Sequence, residues 1–221
     1  MVLTHVHLIR NINTFTPRNV IEVGSRDGKD AMIYAREFGI DDSCVIVFEP
    51  NPWLAEIIRL NYPFITVRQE AIGEIESDRM MYCVVPDANS QDCDLMYSGM
   101  SSLLERCEPN VMAGRATLED VVVPVRKMSS LIEQLDIRSI DICKIDAEGT
   151  TLSVLKSFGD KITRVKSFHL EMEYRPYWKD QALAPEIKQY MAAFDFVLLS
   201  ESYIGNTDQT DSIWVHQNFL S

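Results

Sequence analysis

Short apolar runs alternate along this chain with segments whose apolar positions recur every three or four residues. Val20-Ile21-Glu22-Val23 reads as a short buried strand, and a glycine turn, Gly24-Ser25-Arg26-Asp27-Gly28, ends it. A helical stripe of Ala31, Met32, Ala35 and Phe38 follows, with Gly39 as its C-terminal cap. Cys44-Val45-Ile46-Val47-Phe48 is a second strand that ends in Glu49-Pro50-Asn51-Pro52. Pro52 suits the first turn of a helix, and Trp53, Leu54, Ile57 and Ile58 supply its apolar stripe. Phe64 to Val67 is a third strand, running out through Gln69-Glu70-Ala71-Ile72-Gly73.

The rhythm breaks over residues 74 to 128. Met80 to Val85 and Val121 to Arg126 have strand character, and the polar stretch Asp87 to Arg115 between them is expected to form a lid, because so long a loop is usually functional. Alternation then returns with a short helix, Ser130 to Leu135, and a fourth strand, Ile140 to Ile145, ending at Asp146-Ala147-Glu148-Gly149. A helix through Leu152, Val154, Leu155 and Phe158 leads to a fifth strand, Val165 to Leu170, which ends at Glu171-Met172-Glu173-Tyr174. Pro185 opens a helix striped by Ile187, Tyr190, Met191 and Phe194. Phe196 to Leu199 and Ser212 to His216 have no helix between them, so they should pair as an antiparallel hairpin. The pattern predicts a seven-stranded, mainly parallel, doubly wound sheet with helices on both faces and an antiparallel strand at the edge. Residues 1 to 19 are expected to be a leader with a short helix ended by Pro17, and residues 20 to 221 a single domain.

Composition narrows the function. The formal charge of −12 argues against a nucleic-acid partner, which needs a local surplus of lysine and arginine. Five scattered cysteines without Cys-x-x-Cys spacing read as reduced thiols. No apolar run approaches the ~18 residues of a membrane span. Polar His5, His7, Arg10 and Asn11 come too early for a signal sequence, so a cytoplasmic location and no membrane partner are expected. His5 and His7, two apart, would not share a helix face and read as solvated leader residues.

In doubly wound sheets ligands bind at the carboxyl ends of the strands. Gly24, Glu49, Glu70, Asp146, Glu148 and Glu171 all stand there. Glu49, about 25 residues past the glycine turn, is placed to accept both hydroxyls of a ribose. That role serves any adenosine cofactor. Three features favour S-adenosylmethionine over a nicotinamide dinucleotide. The glycines are spaced Gly-x-x-x-Gly, without the close pyrophosphate approach of Gly-x-Gly-x-x-Gly. Glu22 suits an ammonium and would repel a diphosphate. The last two strands form a hairpin instead of a sixth parallel strand.

The chain resembles the FkbM family of S-adenosylmethionine-dependent methyltransferases over about Val20 to Val215. The resemblance rests on Ile21-Glu22-Val23-Gly24-Ser25-Arg26-Asp27-Gly28, Val47-Phe48-Glu49-Pro50-Asn51-Pro52, Ala71-Ile72-Gly73, Ser101-Ser102-Leu103 and, above all, Asp141-Ile142-Cys143-Lys144-Ile145-Asp146-Ala147-Glu148-Gly149. It implies the Rossmann-like fold of class I methyltransferases and an O-methyltransferase activity. It also implies that Glu22 and Gly24 hold the methionine end of the cofactor, Glu49 the ribose, and Glu70 and Ala71 the adenine edge. Ser25, Arg26, Asp27, Gly28, Pro50, Asn51 and Asp146 belong to the same cofactor set, and Ser101 and Ser102 lie near the acceptor. The chain departs from the family pattern at Lys127-Met128-Ser129, Thr151 and Ser157.

The chemistry follows from such a cofactor. The enzyme must set an acceptor oxygen in line with the C–S bond, about 3 Å from the methyl, and take its proton. Candidate bases are Asp146, Glu148, His169 and Glu171, with Asp146 first because it ends the fourth strand beside the crevice; Glu173 is a candidate acceptor contact. Asp146 with Glu171 could alternatively hold a divalent cation, although no His/Asp spacing is diagnostic of one. Plainer roles compete. Asp146 and Glu148 could cap the next helix, His169 could be a hydrogen-bonded core residue, and Glu171 and Glu173 could be solvated. Ser101 and Ser102 could cap a helix beginning at Leu103, and Tyr177 and Trp178 could be packing aromatics or a sugar platform. Lys144 is expected to face the sheet and pair with a carboxylate. The expected acceptor is a hydroxyl of a saccharide or glycosylated small molecule, read by residues 87 to 115 and 172 to 184. The alternatives are a nicotinamide-dependent oxidoreductase and a non-catalytic adenosylmethionine-binding module.

Overall fold

The strands are Val20–Val23 (β1), Val45–Phe48 (β2), Thr66–Arg68 (β3), Ala71–Ile72 (β4), Ser77–Val85 (β5), Thr117–Arg126 (β6), Ile140–Ile145 (β7), Val165–Glu173 (β8), Phe196–Tyr203 (β9) and Gln209–His216 (β10). The helices are Val2–Ile12 (α1), Lys29–Phe38 (α2), Pro52–Asn61 (α3), Met128–Gln134 (α4), Thr151–Ser157 (α5) and Ala184–Ala193 (α6). They come from a computed structural model that describes residues 2–12, 14–85, 99–108 and 117–220. Most of the expected lid, residues 87 to 115, lies outside these residues. No described helix is long and apolar enough to cross a membrane.

The main sheet has seven strands in the order β3-β2-β1-β7-β8-β10-β9. β1 pairs in parallel with β2 and β7, and β7 with β8. β10 is antiparallel to both of its neighbours. It therefore sits inside the sheet, and β9 takes the edge that the sequence assigned to the antiparallel strand. Burial follows the order. Ile213, Trp214 and Val215 of β10 are buried, whereas most of β9 is only half-covered or exposed. β10 is covered because it is flanked by β8 and β9, although β9 is the more apolar strand in sequence.

Helices cover both faces. On one, Met128, Leu131 and Ile132 of α4, Val154 and Leu155 of α5, and Ile187 and Met191 of α6 pack against Ile21, Cys143 and Phe168. On the other, Val6 of α1, Ala31 and Ala35 of α2 and Ile58 of α3 pack against Val20, Val45 and Ile142. Helix α1 is thus part of the core. Its His5 is fully buried and bonds Tyr34 Oη at 2.8 Å, contrary to the solvated leader expected.

The third predicted strand divides. β3 joins the main sheet, but β4 leaves it for a three-stranded sheet in the order β4-β6-β5. Met81, Cys83, Val123 and Val125 of this small sheet form a core of their own, with Trp53 and Leu103 against it.

The strand tips converge on Gly24. Its N–H donates to Phe48 O at 2.9 Å, and Asp146 N–H donates to Val23 O at 2.9 Å. A Cβ at Gly24 would lie 1.9 Å from the Asp146 carbonyl oxygen, and its φ of +76° already favours glycine. Gly24→Ala should therefore cost about 3 kcal/mol or more in urea unfolding, because backbone must move. Gly39→Ala, where the φ is +65° but nothing lies within 4 Å, should cost only about 1–2 kcal/mol. Equal costs would refute the tight crossing of β1 and β7.

Candidate functional site

A cavity of about 1040 Å³ opens over the tips of β1, β2 and β7. Its floor is the glycine turn, from Gly24 to Asp27, and Glu49, Pro50, Glu70 and Ala71 form one wall. Leu54, Ile72, Met81 and Leu103 add apolar surface. Asp146, Glu148 and Glu171 stand at the opposite end.

Glu49 is held as a ribose acceptor would be. The Arg26 N–H donates to its Oε2 at 2.8 Å and the Asn51 N–H to its Oε1 at 2.9 Å. Burial raises its pKa to about 7 against the pull of those N–H groups. Glu70 pairs with Arg68 at 2.9 Å. Asp27 pairs with Lys29 at 2.9 Å.

Three residues of the expected cofactor set lie behind the cavity and not on it. Glu22 is fully buried; its Oε2 accepts from Ser25 Oγ at 2.8 Å and from the Ala31 N–H at 3.1 Å, so it clamps the turn to α2. Gly28 precedes α2 at φ +76°, and a Cβ there would press on Tyr62 and Ile58. Asn51 caps α3 through the N–H groups of Trp53 and Leu54. Its amide also donates to Val84 O at 3.2 Å and Ser101 Oγ at 3.1 Å. Asn51 therefore fastens the small sheet to the main one.

Lys144 is the hub beneath the site. Its buried ammonium lies 2.9 Å from Asp146, 3.0 Å from Asp30 and 3.5 Å from Glu22. Burial pulls its pKa down, but these three carboxylates outweigh that and hold it well above the ordinary lysine value. The expectation that Lys144 pairs with an acid holds, threefold.

At the far end, Asp146, Glu148 and Glu171 each offer an oxygen within 4.8 Å of the others. That separation fits oxygen ligands around a divalent cation, so these three residues could hold one, and it would acidify a bound hydroxyl. Burial first, then the neighbouring acid Asp146, pushes the pKa of Glu148 and Glu171 well above the carboxylate range. Neither Asp146 nor Glu148 caps α5, whose N-cap Thr150 makes no capping bond to the helix and instead donates from Oγ1 to Ala147 O at 2.6 Å. Instead, Glu148 has φ +32° and its carbonyl accepts from Ser102 Oγ at 2.7 Å. Beside it, a Cβ on Gly149 would lie 2.4 Å from Trp178. Trp178 is thus a buried packing residue, with the Arg106 guanidinium 4.3 Å above its ring. Ser102 Oγ also accepts from the Leu104 N–H, but no helix starts there.

Two departures from the family pattern touch each other: Ser157 Oγ accepts from the Met128 N–H at 3.3 Å. The third, Thr151, donates to Glu171 O at 3.1 Å and so anchors a site residue. Glu173 is buried and not solvated, is raised to about 7 by burial and then by Asp146, and does not line the main cavity. His169 is also absent from that cavity. It is a buried core residue, bonded to Tyr34 Oη at 2.9 Å and Asp211 Oδ1 at 3.1 Å. Sequence reasoning missed Asp30, Asp211 and Arg106. Asp30 had a signal, a carboxylate in the first turn after a glycine loop; the other two had none.

The fold is similar to solved methyltransferases. An FkbM methyltransferase from Methylobacillus flagellatus matches 90% of this chain at 13% identity with a TM-score of 0.58, and this chain spans 44% of that protein's length. Magnesium protoporphyrin IX methyltransferase of Synechocystis, solved with S-adenosylmethionine, matches 97% of this chain and 77% of its own at 8% identity, TM-score 0.52. An O-methyltransferase from Bacillus cereus, solved with S-adenosylhomocysteine, matches 96% and 80% at 12% identity, TM-score 0.50. No curated protein matches the sequence. The mostly parallel sheet with its C-terminal antiparallel strand and strand-tip cavity is that of the class I S-adenosylmethionine-dependent methyltransferases. The chain belongs to the FkbM methyltransferase-domain family, whose pattern matches residues 22–198.

The buried acids predict a pH dependence. Glu22, Glu49 and Glu173 are each raised to about 7 from an ordinary 4.5, chiefly by burial. Between those values the folded chain binds more protons than the unfolded one, so stability falls as pH rises. Urea unfolding of the ligand-free protein should show lower stability at pH 7.5 than at pH 5, and Glu49→Gln should flatten that slope. A rise over the same range would contradict the assignment.

Proposed function

We propose that the protein transfers a methyl group from S-adenosylmethionine to a hydroxyl of a saccharide or glycosylated small molecule. The observation that carries this reading is the pairing, in one cavity, of a ribose-type carboxylate, Glu49, with a facing cluster of acids at Asp146, Glu148 and Glu171. When bound, S-adenosylmethionine supplies an electrophilic methyl on a sulfonium.

Glu49, preset by two backbone N–H donors, holds the ribose hydroxyls. The acids at the far end suit a positively charged sulfur and an alcohol that must lose a proton. The acceptor oxygen forms the new C–O bond as the C–S bond breaks, the electron pair stays on sulfur, and the hydroxyl proton passes to a carboxylate. Glu171 is best suited to take it. Burial, and then the neighbouring Asp146, raise its pKa and so make it a stronger base than an ordinary carboxylate, whereas Asp146 Oδ2 is engaged by Lys144. Asp146 then orients, and Glu148 shapes the end of the site.

The test is calorimetry followed by turnover. S-adenosylhomocysteine should bind and NAD should not. Across a panel of glycosides and alcohols, S-adenosylhomocysteine should form, and Glu171→Gln should lower kcat at least 100-fold while leaving S-adenosylhomocysteine affinity within threefold. Binding of NAD alone would favour the oxidoreductase reading. Binding of S-adenosylhomocysteine without turnover on any acceptor would favour a non-catalytic module.

A further inference from the structure

A second, solvent-open cavity adjoins the acids at the end of the first. Asp30, Lys144, Asp146 and Glu171 line both, so the two spaces meet at these four residues. The second mouth is apolar: Leu3 of α1, Ile33 of α2 and Ile204 of the β9–β10 turn. Its interior is polar: His169 and Asp211 stand beside the shared acids. The imidazole of His169 is engaged at both nitrogens, by Tyr34 at 2.9 Å and Asp211 at 3.1 Å. Leu3 is 57% exposed and so presents apolar surface to the opening.

Resting on the reading above, we propose that the second cavity is the acceptor site: the donor fills the first cavity, the acceptor enters between α1, α2 and the β9–β10 turn, and the two meet at Lys144, Asp146 and Glu171. Glu171 is reached from both spaces. The interior also sets the class of acceptor. Asp30, Asp146, Glu171 and Asp211 face Lys144 as the one permanent cation of this lining, so negatively charged acceptors are disfavoured. The apolar mouth requires a non-polar body behind the reacting hydroxyl. The acceptor is an alcohol without negative charge carried on an apolar body. Its identity is read by α1 and the β9–β10 turn, elements outside the stretches 87 to 115 and 172 to 184 that the sequence pattern pointed to.

The probes are adenosines bearing an N-methyl-, N-propyl- or N-hexylamino group at C5′. The nitrogen stands in for sulfur, and the alkyl chain grows along the path the methyl must take. Calorimetry on the full chain should show the hexyl compound binding at least tenfold more tightly than the methyl one, since each buried methylene is worth about fourfold. Leu3→Trp and Ile204→Trp, which narrow the second mouth, should abolish that gain while leaving S-adenosylhomocysteine affinity within twofold. If S-adenosylhomocysteine binds but chain length brings no gain, the acceptor site is elsewhere and this proposal fails alone. A gain that survives both tryptophan variants has the same meaning. If S-adenosylhomocysteine does not bind at all, the methyl-transfer reading falls and takes this one with it.

Discussion

One buried ammonium group organises the site. Lys144 rises from the middle strand region, where a lone lysine could not stay charged without partners. Three carboxylates from three different elements surround it: Glu22 from β1, Asp30 from α2 and Asp146 at the tip of β7. Removing a charge from water is expensive, and only a close set of opposite charges offsets it. The consequence is geometric. The glycine turn, the start of α2 and the tip of β7 are locked to one point, where the two cavities adjoin.

Around this hub the site divides by charge. One end has Glu49, satisfied by backbone N–H groups, and Glu70, paired with Arg68, flanked by apolar side chains from both sheets. The other end gathers acids, and burial first, then the neighbouring carboxylates, make its glutamates hold protons more tightly than isolated carboxylates do.

Much of this was legible in the sequence. Apolar runs of four to six residues, each followed by a glycine or an acid, mark strands with functional tips, and residues Val20 to Gly28 alone set the cofactor end. The pattern could not tell which of two adjacent terminal strands lies inside the sheet, because both are short apolar runs; the pairing of β10 with both β8 and β9 decides it. It could not see that Gln69 to Gly73 crosses from one sheet to another, since a strand of two residues, Ala71–Ile72, has no period. His5 looked solvated because His7, two residues on, would not share its helix face, yet a tyrosine on α2 gives it a partner across 29 residues of chain. Conversely, Glu22 and Asn51 stand in the expected neighbourhood but brace the site from behind. A motif records that a residue matters, and not whether it faces the ligand or supports what does.

Asn51 carries a last consequence. The residue that presents a backbone N–H to Glu49 also grips Val84 and Ser101 with its side chain. The inserted sheet and Glu49 are thus joined through one residue. If Glu49 holds the ribose as proposed, an insert of different shape has to rebuild the same socket to leave donor affinity unchanged.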